Sequence, residues 1–223
     1  QGELYRALRF GVKTSDTNEI TVQMFDFEPT GVFLWNSEKK KADDSYRGET
    51  IPFGQWEAQQ EMYREQGYSP LQARIGLNVG DDGKIVSKGL PSFVASQEIY
   101  NNLNNGDSVV VEGEIRYIKY KNREDVKKKQ KTYTIKKVFK LTKEVDFSHE
   151  EFEEVTYFEQ QMVFIGADFD KKEGKVYVTG RHINYNKSFH DTQMIVNFKD
   201  AEGKIDAGMV KLADAFDKRF KFG

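Results

Sequence analysis

Apolar and polar residues alternate over several short stretches of this chain, and each stretch predicts a β-strand. Over residues 4–13, Leu4, Leu8, Phe10 and Val12 share one face with Arg6, and Tyr5, Arg9 and Lys13 share the other. Residues 19–27 continue after a polar turn, with Ile20, Val22 and Met24 on one side and Phe25 and Phe27 on the opposite side. Residues 71–79 set Leu71, Ala73, Ile75, Leu77 and Val79 against Gln72, Arg74 and Asn78. A helical pattern covers 90–103, with Pro91 tolerated in its first turn. Asn-Asn-Gly-Asp (104–107) then stops the helix and turns the chain. Two β-rich runs, 108–120 and 131–141, follow, separated by the polar segment 121–130.

Part of this order recurs. Residues 72–85 (QARIGLNVGDDGKI) and 193–205 (QMIVNFKDAEGKI) are each a strand, an acidic turn and Gly-Lys-Ile, followed by a glycine, Gly89 or Gly208, that opens a helical pattern. Upstream, 10–24 and 165–181 share a strand, a polar turn and a strand, with Gly11 opposite Gly166. A repeat of this kind predicts two units with elements in the same order. The second unit reads as strands at 161–169, 175–183 and 193–199. A helix follows whose stripe is Met209, Leu212, Ala213, Phe216 and Phe220.

The expected divisions are a first domain over 3–143, a linker over 144–159 and a second, partial domain over 160–223. The first domain carries an insertion at 28–70, with Trp35, Trp56, a Lys39–Lys41 run and a helix at 54–66. Insertions of this length inside compact domains are functional loops or disordered excursions. The linker is acidic and holds Phe147, Phe152, Tyr157 and Phe158, rings suited to filling the mouth of a barrel. Gly223 aligns with Gly106, just before a fourth strand, so the second unit is expected to be completed by further chain or by another element. Gln1-Gly2 resembles the remnant of a cleaved tag and is left out of the fold reading.

Three strands, a helix and two strands is the element order of an OB-fold, a five-stranded Greek-key barrel. GDSVVVEGEI (106–115) resembles the fourth strand of OB-folds in single-stranded-DNA-binding proteins. The expected fold class is therefore all-β with short helices: two OB-fold-like Greek-key barrels in tandem, the second incomplete. The chain resembles the replication and recombination single-stranded-DNA-binding proteins of bacteriophages more than the bacterial homotetrameric kind, which has one barrel and a Gly/Gln-rich segment. Such proteins usually end in an acidic tail that recruits partners, whereas this chain ends Lys-Arg-Phe-Lys-Phe-Gly. The resemblance implies single-stranded DNA as partner, with RNA chemically open, replication or recombination proteins as further partners, and a cytoplasmic location.

Composition narrows the chemistry. The chain has no cysteine, so disulfides, thiolate metal sites and cysteine nucleophiles are excluded. No apolar run is long enough for a helical membrane span. His182 and His190 are eight residues apart, and ordinary surface histidines explain them better than a metal pair. No nucleotide fingerprint, nucleophile elbow or calcium loop is present, so no enzyme activity, cofactor or metal is expected.

Charge placement says more than the formal net charge of −2. Between 116 and 143 there are twelve Lys and Arg against two acidic residues, Glu124 and Asp125. Phosphate binding needs rows of cations, and sequence-tolerant base binding needs flat rings. The candidate nucleic-acid residues here are Arg116, Tyr117, Lys119, Tyr120, Lys121, Arg123, Lys127, Lys128, Lys129 and Lys136. Segment 121–130 is read as the loop between strands four and five, which borders the OB binding groove together with the loop between strands one and two. On the outward strand faces the candidates are Tyr5, Arg9, Lys13, Phe25 and Arg74, with Trp35 in the insertion. In the second unit they are Tyr177, Arg181, Tyr185 and Lys187. Two rival explanations compete with this one. The basic segment could be a solvated edge that discourages aggregation, and the barrels could be a protein-interaction or structural scaffold module.

Overall fold

The computed structural model describes residues 4–80, 83–121, 124–183, 187–200 and 202–221. The protein is mostly β-sheet with short helices. It divides into two compact units, Gln1–Val155 and Thr156–Gly223, and the division falls inside the acidic segment 144–159.

In the first unit, strand β1 (Tyr5–Lys13) pairs antiparallel with β2 (Glu19–Phe27) from Tyr5↔Phe27 to Lys13↔Glu19. The alternation read from the sequence is the observed one. Val22 and Met24 are buried and Leu8, Phe10 and Val12 pack against the core, while Tyr5, Arg9, Lys13, Phe25 and Phe27 are exposed.

The insertion is built rather than loose. It runs β3 (Gly31–Asn36), α1 (Ser37–Ala42), β4 (Glu49–Pro52), α2 (Phe53–Glu65) and β5 (Tyr68–Pro70), with its own three-stranded sheet in the order β4-β3-β5. Buried Asn36 joins three of its pieces. Its Oδ1 accepts from the Glu38 and Lys39 amides at 3.0 Å each, and its Nδ2 donates to the Gln66 carbonyl at 2.9 Å. An Asn at this position satisfies amides that the start of a helix leaves unpaired. Val32, Leu34, Phe53, Trp56 and Tyr68 then join Met24, Ile75 and Phe93 in one core.

After the insertion come β6 (Ala73–Val79), β7 (Ile85–Leu90), α3 (Ser92–Asn102), β8 (Val109–Lys121) and β9 (Lys127–Lys140). β7 is a strand where the helical pattern was expected to begin, and Gly89 lies within it. A Cβ on Gly89 would stand 2.1 Å from Ser69 Oγ and 2.3 Å from the Pro70 carbonyl, so only glycine lets β7 approach β5 this closely. The helix begins at Ser92, with Pro91 at the position just before it. β8 and β9 form a long antiparallel hairpin with a bulge at Glu112/Gly113. There a Cβ on Gly113 would meet the Thr134 carbonyl at 2.1 Å. In the segment read as a loop over 121–130, Lys121 and 127–130 are strand, because the hairpin keeps pairing out to Lys121↔Lys127.

The six-stranded sheet has the path β1-β2-β9-β6-β7, with β8 on the other edge of β9. β2 and β6 both run parallel to β9, through Gln23↔Thr134 and through Arg74↔Lys137 to Gly76↔Phe139. No closed barrel forms among the described residues, and β2 does not pair with β6. The second unit shows the physical reason. There β10 (Val163–Asp170), β11 (Lys175–Ile183) and β12 (Phe189–Asn197) form an antiparallel meander, and β11 pairs with β12 from Lys175↔Asn197 to Ile183↔Phe189. A short connection holds consecutive strands together. In the first unit the corresponding strands are separated by 28–72, which folds into its own sheet and releases that constraint.

The repeat survives at the level of backbone hydrogen bonds. In the first unit the Gly80 amide donates to the Lys84 carbonyl (2.8 Å) and Gly83 to Gly80 (2.9 Å). In the second, Asp200 donates to Lys204 (3.0 Å) and Gly203 to Asp200 (3.1 Å). Gly83 and Gly203 have φ of +74° and +82°, and the flanking pairs Val79↔Ile85 and Lys199↔Ile205 are equivalent. A helix follows each turn. In the second unit it is α4 (Ala207–Lys218), whose Asp206 cap accepts from the Gly208 and Met209 amides at 2.7 and 3.0 Å. The small core of that unit gathers Val176, Val178 and Ala213, with Phe164, Met194 and Phe216 around them.

Candidate nucleic-acid interface

The structure sorts the basic segment into two parts that composition alone merges. At the base of the β8–β9 hairpin the cations are matched. Lys137 pairs with Glu112 at 2.6 Å, Lys136 with Glu114 at 3.2 Å, and Lys140 with Asp107 at 2.7 Å. Arg116 also reaches Glu114, at 2.5 Å. Burial works to raise the Glu114 carboxyl, but hydrogen bonds from Arg116 and Lys136 outweigh it and hold the group below its usual range. The hydrogen bond from Lys140 lowers Asp107 likewise. Arg116 and Lys136, both candidates, are therefore committed to a carboxylate.

The outer part of the hairpin, 116–121 with 127–131, is a ribbon whose described residues are exposed or half-buried. Here Lys121 pairs with Asp125 at 2.7 Å. Lys128 and Lys131 have no carboxylate partner among the described residues, and the Lys131 ammonium lies 5.0 Å from the Tyr133 ring centroid. The register sets Lys119 opposite Lys129, Lys121 opposite Lys127, Tyr120 opposite Lys128 and Tyr117 opposite Lys131. Like charges directly opposite one another destabilise a strand pair. Tyr120 is exposed on the ribbon and Tyr117 is half-buried. Arg123 lies outside the described residues.

A second feature lies on the outward face of β1 and β2. Tyr5, Phe25 and Phe27 are 58 %, 50 % and 44 % exposed. Their ring centroids lie 5.6 Å (Tyr5–Phe25), 6.3 Å (Tyr5–Phe27) and 5.2 Å (Phe25–Phe27) apart. Arg9 and Lys13 continue the same face of β1. Phe27 was not among the candidates, although its alternation with Phe25 is the signal that includes it. At the end of this hairpin, the side chains of Thr14 and Asn18 both donate to Glu154 Oε1, Asn18 at 2.8 Å. One acid of the 144–159 segment is thus held on the β1–β2 turn.

The insertion residues serve its packing. Trp56 is buried, and Trp35 is half-buried with its ring 5.5 Å from Tyr46. Lys39 is held by Tyr68 Oη and by Glu49 at 3.0 Å, which raises the Lys39 ammonium above its ordinary value and lowers the Glu49 carboxyl. Arg74 is exposed, as its strand position implied, and its Nε donates to Ser87 Oγ at 2.8 Å.

In the second unit, Arg181 is bound bidentately by Asp191, at 2.6 and 2.9 Å, which removes it as a free phosphate ligand. Tyr177 is half-buried, Lys187 is exposed, and Tyr185 lies outside the described residues. Tyr157 and Phe158 are exposed and fill no barrel mouth. His182 and His190 are not surface histidines. Both are buried, registered opposite each other, with ring centroids 5.4 Å apart. No cluster of three or more metal-ligating side chains occurs among the described residues. Burial pushes His182 below its ordinary value of 6.5, against a smaller upward pull from Asp191. A histidine kept neutral by folding costs stability once the unfolded chain protonates. Thermal melts of the protein should therefore show stability falling as pH drops through about 6.5 and below. His182→Gln should flatten that slope; a melting curve whose pH dependence is the same in the variant removes His182 as its source.

No described helix is long and apolar enough to cross a membrane. The fold and the surface just described define a mostly β protein of two units that repeat one strand–turn–helix motif, with a basic ribbon on the first. The chain belongs to the YorF family, whose pattern matches residues 45–223. No curated protein and no solved structure matches it significantly.

Proposed function

We propose that the protein binds single-stranded DNA with little sequence preference and serves to protect or organise it, as in replication or recombination. The observation that carries this reading is the ribbon, where the register sets lysines opposite lysines while Asp107, Glu112 and Glu114 are spent on cations at the base of the hairpin. A polyanion laid along the ribbon offsets that repulsion and releases counterions. The exposed rings of Tyr5, Phe25 and Phe27 supply a surface on which bases of any identity stack.

One strand relation supports an OB-like ancestry, although the sheet path β1-β2-β9-β6-β7 is not the strand order of that barrel. In a five-stranded barrel of order 1-2-3-5-4, antiparallel closure makes the third and fifth strands parallel neighbours, and β6 and β9 have that relation. The ribbon then corresponds to an elongated hairpin of strands four and five, and Lys13 borders the turn between strands one and two, the two places where OB-folds hold oligonucleotides.

The direct test is a titration of single-stranded and duplex oligonucleotides over a range of salt. Single strands should bind more tightly than duplex, with the logarithm of the binding constant falling linearly with that of salt. Absent binding, or equal affinity for duplex, overturns the proposal. The ring triplet also favours a second reading, docking of a protein partner, since exposed apolar clusters mark such sites. Phe25→Ala separates the two. It should cost roughly 1–3 kcal/mol of strand affinity if its ring stacks on bases, with the melting temperature unchanged. Unaltered strand affinity would assign the triplet to a protein partner instead.

A further inference from the structure

The insertion does more than pack. Helix α2 and strand β5 stand beside the β6–β7 hairpin and enclose a cavity of about 220 Å³, walled by Trp56, Gln60 and Arg64 on one side and by Arg74, Ser87 and Gly89 on the other. The charges around it are unequal in a specific way. Arg64 is paired with Glu61, and Lys88 with Glu98 at 2.8 Å. Arg74 has no carboxylate partner among the described residues. Its Nε is fixed by Ser87 Oγ, which orients the guanidinium and leaves both terminal nitrogens as donors. Glu61 also lines the cleft, paired with Arg64, and Lys137, beside Arg74 in the register, is matched by Glu112, so among the described residues Arg74 is the cation of this wall without a carboxylate.

A planar guanidinium, oriented by one hydrogen bond and unmatched in a partly enclosed cleft, suits bidentate recognition of phosphate. We infer that this cleft is a phosphate-binding site, with Arg74 as the recognising group and Arg64 and Lys88 at its rim. Its volume is below the usual range for drug-sized ligands, so it takes one phosphate group and little more. That group is either a phosphodiester of a bound strand, in which case the inference rests on the reading above, or the phosphate of a free phosphorylated molecule.

Trp56 in the cleft wall serves as reporter. The chain has two tryptophans, so Trp35→Phe leaves its fluorescence alone. Inorganic phosphate and thymidine 5′-monophosphate are titrated into that protein, and into the same protein carrying Arg74→Gln or Arg74→Lys. A saturable change in Trp56 emission is expected. It should be weakened roughly tenfold or more by Gln and clearly by Lys, which keeps the charge but lacks the fork. Loss of the signal on adding a thymidine oligonucleotide assigns the cleft to the strand, and its persistence assigns it to a free ligand. No saturable change, or the same change in Arg74→Gln, overturns the inference. Oligonucleotide binding measured by anisotropy keeps the two proposals apart. Strand binding without a phosphate response rejects only the cleft, and a phosphate response without strand binding rejects only the single-strand reading.

Discussion

Trp56→Ala should lower the stability of the first unit by about 3–5 kcal/mol, the range for removing a large aromatic from a packed core. Trp56 is 2 % exposed and belongs to the insertion, yet its neighbours tie it to the rest of the unit. Its ring lies 6.0 Å from Phe53, whose ring lies 6.1 Å from Phe93 on α3. Insertion and main sheet thus share one core, and the cavity left by the indole weakens both. For a unit of this size the loss corresponds to a fall of roughly 6–20 °C in melting temperature. Limited proteolysis should then open sites on both sides of residues 28–72 together. Cleavage confined to the insertion, with the remaining strands still protected, would show that the insertion is an independent appendage.

That shared core was only half legible in the sequence. Strands with a solvated face, such as Tyr5–Lys13 and Glu19–Phe27, declared themselves because alternation directly reports which face is wet. The insertion strands did not. Tyr68–Pro70 is three residues long, and Gly31–Asn36 lies beside a helix, so neither offers enough period to read. Ile85–Leu90 was hidden by its glycine, whose reason is the approach of Ser69 and Pro70 from a distant stretch of chain. Pairing was the least legible property. The repeat correctly pointed to equivalent turns, Gly80–Lys84 and Asp200–Lys204. It could not say that β2 would lie against β9 and leave β6, because strand partners depend on what the intervening segment folds into.

The candidate site was legible by residue type and less so by availability. Tyr5, Arg9, Lys13 and Phe25 stand on the exposed face that their alternation implied. Arg116, Lys136 and Arg181 were chosen as cations, but their partners lie across a strand pair or two residues upstream. A count of charge between 116 and 143 stops short of Glu112 and Glu114, the acids that neutralise the base of the hairpin. Only the folded pairing distinguishes Lys136, Lys137 and Lys140, each on a carboxylate, from Lys128 and Lys131, which have none among the described residues.

The distinction yields the largest expected effect on binding. Replacing Lys127, Lys128 and Lys129 with Gln should weaken single-strand binding strongly at low salt. It should also reduce the slope of log K against log salt by about 2, since each phosphate contact on a single strand contributes about 0.7. Replacing Lys136 and Lys137 with Gln removes charge from the same hairpin, but charge already matched by Glu114 and Glu112, and should change the slope little. Stability should move the other way. The triple variant relieves the like-charge register pair Lys119 with Lys129, worth a few tenths of a kcal/mol, while Lys121, opposite Lys127, is already matched by Asp125. Its melting temperature should hold or rise while affinity falls. The base variant breaks formed ion pairs and should gain nothing. Parallel anisotropy titrations and thermal melts of the two variants decide the matter. Equal losses of affinity from ribbon and base would mean that binding senses only the net charge of the hairpin. Unchanged affinity in the triple variant would leave the ribbon as a solvated edge whose lysines serve to keep other strands from pairing with it.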